Sequence, residues 1–228
     1  MKISSLPGIV LGIAAVLAPG AGRAAGVDYP LQVGATWTYH MVQEVAPGVE
    51  LPPDVAAGAH GNRAELTIVS RVVGRDRIGG SEYARVESKR NGRVYLTEWY
   101  AVRDDGLYLG KTFDRDAGAE NVMDPPQRVL NRNPRRGESW VWRPGAQPVV
   151  AKTQVRGVEH VDTSLGSFDA TLVETELRVG EPPQQVQARL RRWFVPGTGF
   201  VRFEQQSAIA GHVLSRGTMT LERFEAGH

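Results

Sequence analysis

The chain has 228 residues, among them 27 Lys and Arg, 25 Asp and Glu, and no cysteine. The lack of cysteine excludes disulfides, thiol catalysis, thiolate metal sites and a lipid anchor attached through a cysteine. The formal net charge of +2 is too small an excess for a typical nucleic-acid-binding domain, so we expect no nucleic-acid partner.

The first 24 residues have the three parts of a secretory signal peptide. Lys2 precedes an apolar run from about Leu6 to Ala18, and small residues lead to a cleavage position after Ala24. The apolar run is shorter than the roughly 20 residues of a membrane-spanning helix. Cleavage removes Lys2 and Arg23, so that 25 of the 27 basic residues remain against 25 acidic ones. We predict a periplasmic or extracellular protein that is not lipid-anchored and has no transmembrane segment after cleavage.

Residues 25–228 alternate between apolar and polar side chains with the period of two that is typical of half-buried strands. Asn91-Gly92, Asp104-Asp105-Gly106 and Pro196-Gly197-Thr198-Gly199 lie between such runs as hairpin signals. We predict about ten strands, at 36–43, 64–72, 82–89, 93–102, 107–112, 149–156, 168–178, 186–195, 200–207 and 213–224. The predicted fold is a single, mainly β domain, a strongly curved antiparallel meander in the form of a half-barrel or a sandwich.

Two proline-containing stretches interrupt the strands. Residues 45–62 contain Pro47, Pro52 and Pro53 and are predicted to form a loop. Residues 114–136 contain three further prolines and are predicted to form a connector. Because loops of this length in a compact domain are usually functional or mobile, both stretches are candidate lids.

The connector separates two segments, 34–109 and 137–204, that share a pattern of aromatic residues and glycines. The matched residues are Trp37 with Trp140, Glu87 with Glu174, Trp99 with Trp193 and Gly106 with Gly199. The preserved order predicts a degenerate internal duplication. The alternative is that all strand-turn-strand units use aromatic residues and glycines alike.

The sequence offers no local catalytic or metal-binding pattern. The five histidines are never one, three or four residues apart, the spacings of local metal ligands. The Gly-x-Ser-x-Gly nucleophile pattern and the phosphate- and dinucleotide-binding glycine loops do not occur. We therefore predict no catalytic residue, metal or cofactor, and favour a non-catalytic protein. A hydrolase assembled from distant residues stays open.

Aromatic residues mark the candidate binding strand, residues 93–102. Val94, Leu96, Tyr100 and Val102 are predicted to share one face, and Tyr95, Trp99 and Ala101 the other. A strand that is apolar on both faces is covered on both sides or lines a cavity. The candidate ligand-binding residues are Tyr95, Trp99, Tyr100 and Trp193. They predict an exported protein that binds a lipid, another apolar ligand or an envelope component on its curved sheet.

Two arginine clusters favour a second class of function, a module that docks an envelope protein. The clusters are Arg128, Arg132, Arg135 and Arg136, and Arg189, Arg191 and Arg192. Arginine forks bind phosphate and carboxylate groups well. The alternative is that both clusters are ordinary solvated faces.

Three short motifs carry a family resemblance. They are the "PL-x-VG-x-x-W-x-Y" start at residues 30–39, the "G-x-FDA" strand at 166–170 and the "W-[FY]-x-PG-x-G-x-V" hairpin at 193–201. In this order they resemble uncharacterised secreted bacterial β-meander proteins. The resemblance implies a curved antiparallel sheet, more distantly similar to the half-barrels of periplasmic lipoprotein carriers, which hold acyl chains on a concave apolar face. It implies no catalytic residues.

Overall fold

The computed structural model describes residues 28–145 and 148–228. The predicted signal peptide, residues 1–24, lies outside the described residues. The described elements are β1 Thr36–Val45, α1 Pro53–Ala56, β2 Arg63–Ile78, β3 Ser81–Arg90, β4 Arg93–Arg103, β5 Gly106–Asp114, β6 Ala119–Asn131, β7 Ser139–Trp142, β8 Val149–Thr163, β9 Gly166–Val179, β10 Val186–Val195, β11 Gly199–Ile209 and β12 His212–Glu225.

The twelve described strands form one antiparallel sheet. Its order is β6-β5-β4-β3-β2-β1-β12-β11-β10-β9-β8-β7, so each half of the chain is a meander and β1 joins β12 in the middle. That central ladder runs from the pair Thr36–Glu225 to the pair Val45–Ser215. The sheet is strongly curved and nearly closes on itself, which brings its edge strands β6 and β7 towards each other. The predicted curved, mainly β meander is confirmed, with twelve strands rather than ten.

Two strands were missed by the sequence patterns. Strand β6 lies within residues 114–136, so the expectation of a connector without secondary structure is wrong for most of that range. Proline lacks the N–H that a ladder needs, but β6 is an edge strand, where Pro125 and Pro126 are tolerated. Strand β7 has only four residues, too few for an alternating pattern to be recognised.

The predicted turn at Asn91-Gly92 is confirmed between β3 and β4. Both residues have positive φ, 52° and 77°, as the tight hairpin turn requires. The two other hairpin signals likewise join β4 to β5 and β10 to β11. Residues 46–62 lie mostly outside strands, as predicted, but contain the short helix α1.

The two halves have the same strand order, six strands each. Every residue pair matched in the sequence lies on corresponding strands: Trp37 on β1 and Trp140 on β7, Glu87 on β3 and Glu174 on β9, Trp99 on β4 and Trp193 on β10, Gly106 on β5 and Gly199 on β11. The first six strands span residues 36–131 and the last six span residues 139–225. This correspondence is what an internal duplication requires.

Side chains of the protein itself fill the inner face of the sheet. The main core includes the fully buried Trp37, Tyr39, Leu96, Phe200 and Phe203. We call the side of the sheet where β1 begins the first end, and the side where β1 ends the second end. The chain crosses both ends, which closes the core to solvent there.

The second end is covered by the loop that contains α1. Val55 packs on Ala64 and Leu66 of β2. The buried Arg90 at the end of β3 binds Asp54 at 2.8 Å and Asp116 at 2.6 Å. The ion pair with Asp54 holds the predicted lid, residues 45–62, against the sheet.

Candidate functional site

Two charged residues project into the core from equivalent strands. Glu98 on β4 is fully buried, and Arg192 on β10 is 9% exposed. Each immediately precedes one of the matched tryptophans, so the two residues are equivalent in the two halves. Glu98 stands opposite the buried Val86, and Arg192 opposite the buried Val173. Because paired residues share a face of the sheet, both charged side chains point inward.

Glu98 is only half satisfied by hydrogen bonds. The Tyr100 hydroxyl donates to Glu98 Oε1 at 2.9 Å, whereas the buried Oε2 has no hydrogen-bond partner. Burial raises the pKa of Glu98 to about 7, against the opposing effects of the Tyr100 hydrogen bond and the Arg192 charge. A substantial fraction of Glu98 is therefore protonated at neutral pH.

Arg192 has a weak set of partners for a buried cation. Its Nη1 lies 3.5 Å from Thr175 Oγ1. Within residues 28–145 and 148–228, no carboxylate lies within ion-pair distance of its guanidinium. Burial lowers the pKa of Arg192, and the nearby Tyr100, Glu98 and Tyr29 oppose that shift. When Glu98 is protonated, the core thus holds a positive charge with no counter-ion beside it.

The N-terminal segment Asp28–Leu31, which we call the plug, covers this pair at the first end. The Tyr29 ring stacks on Phe194, with centroids 6.0 Å apart, and meets Phe200 edge-on at 5.5 Å. Burial raises the pKa of Tyr29, and Glu98 and Arg192 both act on it, which places the phenol in their field. We call Tyr29, Glu98, Tyr100 and Arg192 the polar core cluster.

The plug is attached by few backbone contacts. The Gly197 N–H donates to the Asp28 carbonyl at 3.0 Å, and Arg75 Nη2 donates to the Leu31 carbonyl at 3.1 Å. None of its four residues belongs to a strand. The plug is therefore buried by packing rather than held by a ladder.

The structure separates the four predicted ligand-binding residues. Tyr100 belongs to the polar core cluster, and Tyr95 lies in the core near the second end, under the guanidinium of Arg90. Trp99 is half-buried, and its Nε1 donates to Asp76 Oδ2 at 2.7 Å. Trp193 is buried and belongs to the main core, as Tyr95 and Tyr100 do.

Charged side chains surround Trp193 at one edge of this core. Its Nε1 donates to Glu159 Oε2 at 2.9 Å, and the guanidinium groups of Arg191 and Arg202 lie over its ring. Trp99 has the same kind of cover, with Lys111 Nζ 4.8 Å from its ring centroid. Both tryptophans thus have an acidic hydrogen-bond acceptor and a basic group over the ring.

The predicted faces of residues 93–102 hold only in the middle of the strand. Tyr95 lies in the main core together with Leu96 and Tyr100, while Val102 is exposed. The ladders of β4 shift register between Ser88 and Lys89 and between Trp99 and Tyr100. Such bulges interrupt the alternation on which the prediction depended.

Sequence reasoning missed Glu98, Arg192 and Tyr29 as site residues. The sequence does contain a signal for Glu98. Residues 96, 98 and 100 are spaced by two and share one face of the strand, so Glu98 is a charged residue on an otherwise apolar face. Arg192 had been assigned to a surface cluster with Arg189 and Arg191, which do face outward. No sequence pattern identifies Tyr29, because tertiary packing decides where a segment outside any strand lies in the fold.

Buried hydroxyl pairs also recur in the two halves. Ser70 on β2 lies 2.8 Å from Ser88 on β3, oxygen to oxygen. Thr153 on β8 lies 3.0 Å from Thr175 on β9 in the same way. All four residues are buried, so Ser70, Ser88 and Thr153 depend on the paired hydroxyl for a hydrogen bond, while Thr175 also contacts Arg192.

A second feature lies at the first end between the edge strands. Residues 132–138 join β6 to β7, and beside them is an open depression of about 320 Å³. We call it the connector depression. Every residue that lines it has a polar or charged side chain, and these are Asp105, Arg128, Asn131, Arg132, Asn133, Arg135 and Glu138.

The gap between β6 and β7, which we call the seam, is bridged by side chains. Trp140 Nε1 donates to the Arg128 carbonyl at 2.9 Å, and Trp142 Nε1 donates to the Pro125 carbonyl at 2.6 Å. Among the described strands, β6 and β7 form the two edges and have no ladder with each other. In both junctions the last strand of one half meets the first strand of the other half, so the seam corresponds to the β1–β12 ladder.

The described residues show neither a metal cluster nor a membrane helix. Across 28–145 and 148–228, no three His, Asp or Glu side chains are grouped so that they would hold a metal ion. No helix in that part of the chain combines the length and the hydrophobicity of a membrane span.

Comparison with known proteins finds no matching family model and no matching curated protein. Two solved structures are similar over 89% of this chain and the whole of theirs. One, at 14% identity and a TM-score of 0.48, is a Bacteroides fragilis protein with a YmcC-like fold whose name calls it exported. The other, at 12% identity and a TM-score of 0.49, is a Parabacteroides distasonis protein whose name calls it a lipoprotein. Neither likeness identifies a ligand or an activity for this chain.

Proposed function

We propose that this is an exported, non-catalytic protein that binds an amphiphilic carboxylate at the first end of its sheet. The ligand has an apolar body and one carboxylate, as a fatty acid has. The observation that carries the proposal is the buried Arg192 guanidinium, which has no carboxylate within ion-pair distance in the described chain. The signal-peptide features of residues 1–24 support a periplasmic or extracellular location.

The charge balance of the core favours an anionic ligand. Buried charges in proteins are normally paired, because an isolated one has a large desolvation cost. A ligand carboxylate would pair with the Arg192 fork through two charge-assisted hydrogen bonds. Glu98, when protonated, would donate a further hydrogen bond to it from the oxygen that has no partner in the closed structure.

The apolar body of the ligand would take the place of the plug. Tyr29 and Leu31 are buried there, with Tyr29 against Phe194 and Phe200. A chain of methylene groups in contact with the same two rings would replace the apolar area that the plug loses. The displacement would break the hydrogen bond from Gly197 to Asp28. Tyr100, one of the predicted ligand-binding residues, would line this space.

The test is a titration of delipidated residues 25–228 with palmitic acid below pH 7, followed by calorimetry. We expect Arg192→Met to weaken binding by about tenfold or more, because it removes the charge-assisted bonds. The matched control is Arg189→Met on the same strand, whose guanidinium binds Glu174 on the outer side. It should leave the affinity unchanged.

A second readout does not depend on any variant. In the wild-type protein, palmitic acid should accelerate hydrogen exchange at the Gly197 amide, since withdrawal of the plug releases that N–H. The absence of palmitic acid binding would overturn the proposal. So would binding that leaves Gly197 protected, or that is as tight in Arg192→Met as in the wild type.

A further inference from the structure

We infer that the connector depression is a binding site for a phosphate group. It lies at the seam and shares no residue with the polar core cluster, so this inference is independent of the carboxylate ligand proposed above. The lining combines three arginines and two asparagines with two acidic residues.

Arg128 forms a fixed wall of the depression. Its Nε donates to the Tyr108 hydroxyl at 2.8 Å, its Nη2 to Asp105 Oδ2 at 2.7 Å and its Nη1 to Asn131 Oδ1 at 3.3 Å. Asp105 therefore balances the charge of Arg128. Of the two acidic residues in the lining, Asp105 is already paired with Arg128, and this pairing reduces its repulsion of an incoming anion.

Arg132 and Arg135 form no ion pair among the described residues, so that the three arginines of the lining exceed its two acidic residues by one charge. In the described part of the chain, no carboxylate lies within ion-pair distance of either guanidinium, although such pairs hold Arg128 and Arg90. Arg132 Nη1 reaches only the Asp104 carbonyl, at 3.4 Å. Glu138 accepts a hydrogen bond at 3.2 Å from the backbone N–H of Arg135, which partly occupies its carboxylate.

These donors suit a phosphate group better than an apolar or neutral ligand. Each arginine presents a planar fork of N–H groups that matches two oxygens of an oxyanion. A phosphate carries up to two charges and several terminal oxygens, so it can bind both free forks and the Asn133 amide together. The site is open and is lined by polar and charged side chains, which fits a phosphate at the end of a larger molecule. That molecule is either a phospholipid or a soluble phosphate compound.

The experiment measures binding to two probes at low ionic strength, where screening is weak. One probe is inorganic phosphate, followed by calorimetry. The other is phosphatidylcholine vesicles with and without phosphatidic acid, followed by co-sedimentation. The test variant is Arg132→Gln/Arg135→Gln. The control is Arg216→Gln on β12, which is also exposed and forms only a hydrogen bond to Gln206.

We expect the double variant to bind the effective probe about tenfold more weakly or worse, because it loses two charged forks. Arg216→Gln should bind as the wild type does. Binding of inorganic phosphate alone identifies a soluble source, and binding of phosphatidic acid vesicles identifies a lipid head group. The inference is overturned if the wild type binds neither probe, or if Arg216→Gln weakens binding as much as the double variant. Palmitic acid binding should be unchanged in the double variant, which separates the two proposals.

Discussion

The two halves of the sheet are alike in their supporting contacts and differ at their candidate sites. Each half has a buried hydroxyl pair between its second and third strands. Each also has a tryptophan whose indole N–H binds an acidic residue of the second strand. In the core, however, the first half places Glu98 where the second half places Arg192. Two identical halves would bring like charges together there, so the exchange of one charge relieves a repulsion.

The two junctions between the halves differ as well. The ladder between β1 and β12 joins ten residues of β1 to β12 through the backbone. The seam between β6 and β7 has two indole hydrogen bonds instead. The connector depression lies at this weaker junction. The features that the halves share hold the sheet together, and the features that distinguish them are the ones available for binding.

The largest difference expected between equivalent positions is at the first tryptophan of each half. Trp37 is fully buried and packs on Phe224, with ring centroids 5.8 Å apart, whereas Trp140 is only partly buried. Trp37→Ala should lower the free energy of unfolding by about 3–5 kcal/mol. Trp140→Ala should cost roughly 1–2 kcal/mol, since it loses part of a side chain and one hydrogen bond. Urea denaturation measures both, and equal losses would contradict the asymmetry of the junctions.

The next effect concerns Glu98, whose pKa of about 7 in the folded state lies above the ordinary value of 4.5. The folded protein then binds more protons than the unfolded chain between these values. The contribution of Glu98 to the free energy of unfolding is therefore complete below pH 4.5 and is lost as the pH rises through 7. The loss amounts to up to about 3 kcal/mol at alkaline pH.

Glu98→Gln keeps a neutral side chain at this position and should flatten that pH dependence. The control Glu222→Gln, an exposed residue near the end of β12, should retain the wild-type slope. Thermal unfolding followed between pH 4 and pH 9 distinguishes these outcomes. A wild-type slope in Glu98→Gln would show that Glu98 is ionised throughout, and that Arg192 already has its counter-ion.

The smallest effect tests the likeness of the halves. Ser70→Ala or Ser88→Ala alone should cost about 1–2 kcal/mol, because the partner hydroxyl is left buried without a hydrogen bond. The double variant should cost less than the sum, with a coupling of about 1 kcal/mol. The Thr153→Val and Thr175→Val cycle should show a similar coupling in the second half, although Thr175→Val alone should cost more, because it also removes the hydroxyl that Arg192 contacts. Coupling in one half only would contradict a shared structural role.

Much of the sheet was predictable from the sequence, because its strands are long enough for alternation to be counted. The hairpins followed from turn residues such as Asn91 and Gly92, whose positive φ leaves few alternatives. Strand β6 was not predictable, since prolines oppose a strand everywhere except at an edge. Which strand lies at an edge is decided by the whole sheet, so a local sequence pattern does not predict it.

The candidate site was less predictable than the fold. Tyr100 was identified from its strand, but its role depends on Glu98 beside it and on Arg192 from the other half. Local runs of arginine do not reveal that Arg192 faces inward while its neighbours face outward. The connector depression was anticipated only as a cluster of arginines. That Arg128 pairs with Asp105 while Arg132 and Arg135 have no ion pair among the described residues is visible only when the surrounding strands are in place.

The pairing of β1 with β12 has a consequence for how the chain folds. Every other ladder joins neighbours in sequence, so most contacts form after short loop closures, while this one must wait for residues near 215–225. Contacts between distant segments form slowly because their loop-closure entropy must be overcome first. Until β12 is synthesised, β1 keeps an unpaired edge that can accept a wrong strand. The time spent before that last ladder forms sets the exposure of the nascent chain to mispairing and aggregation.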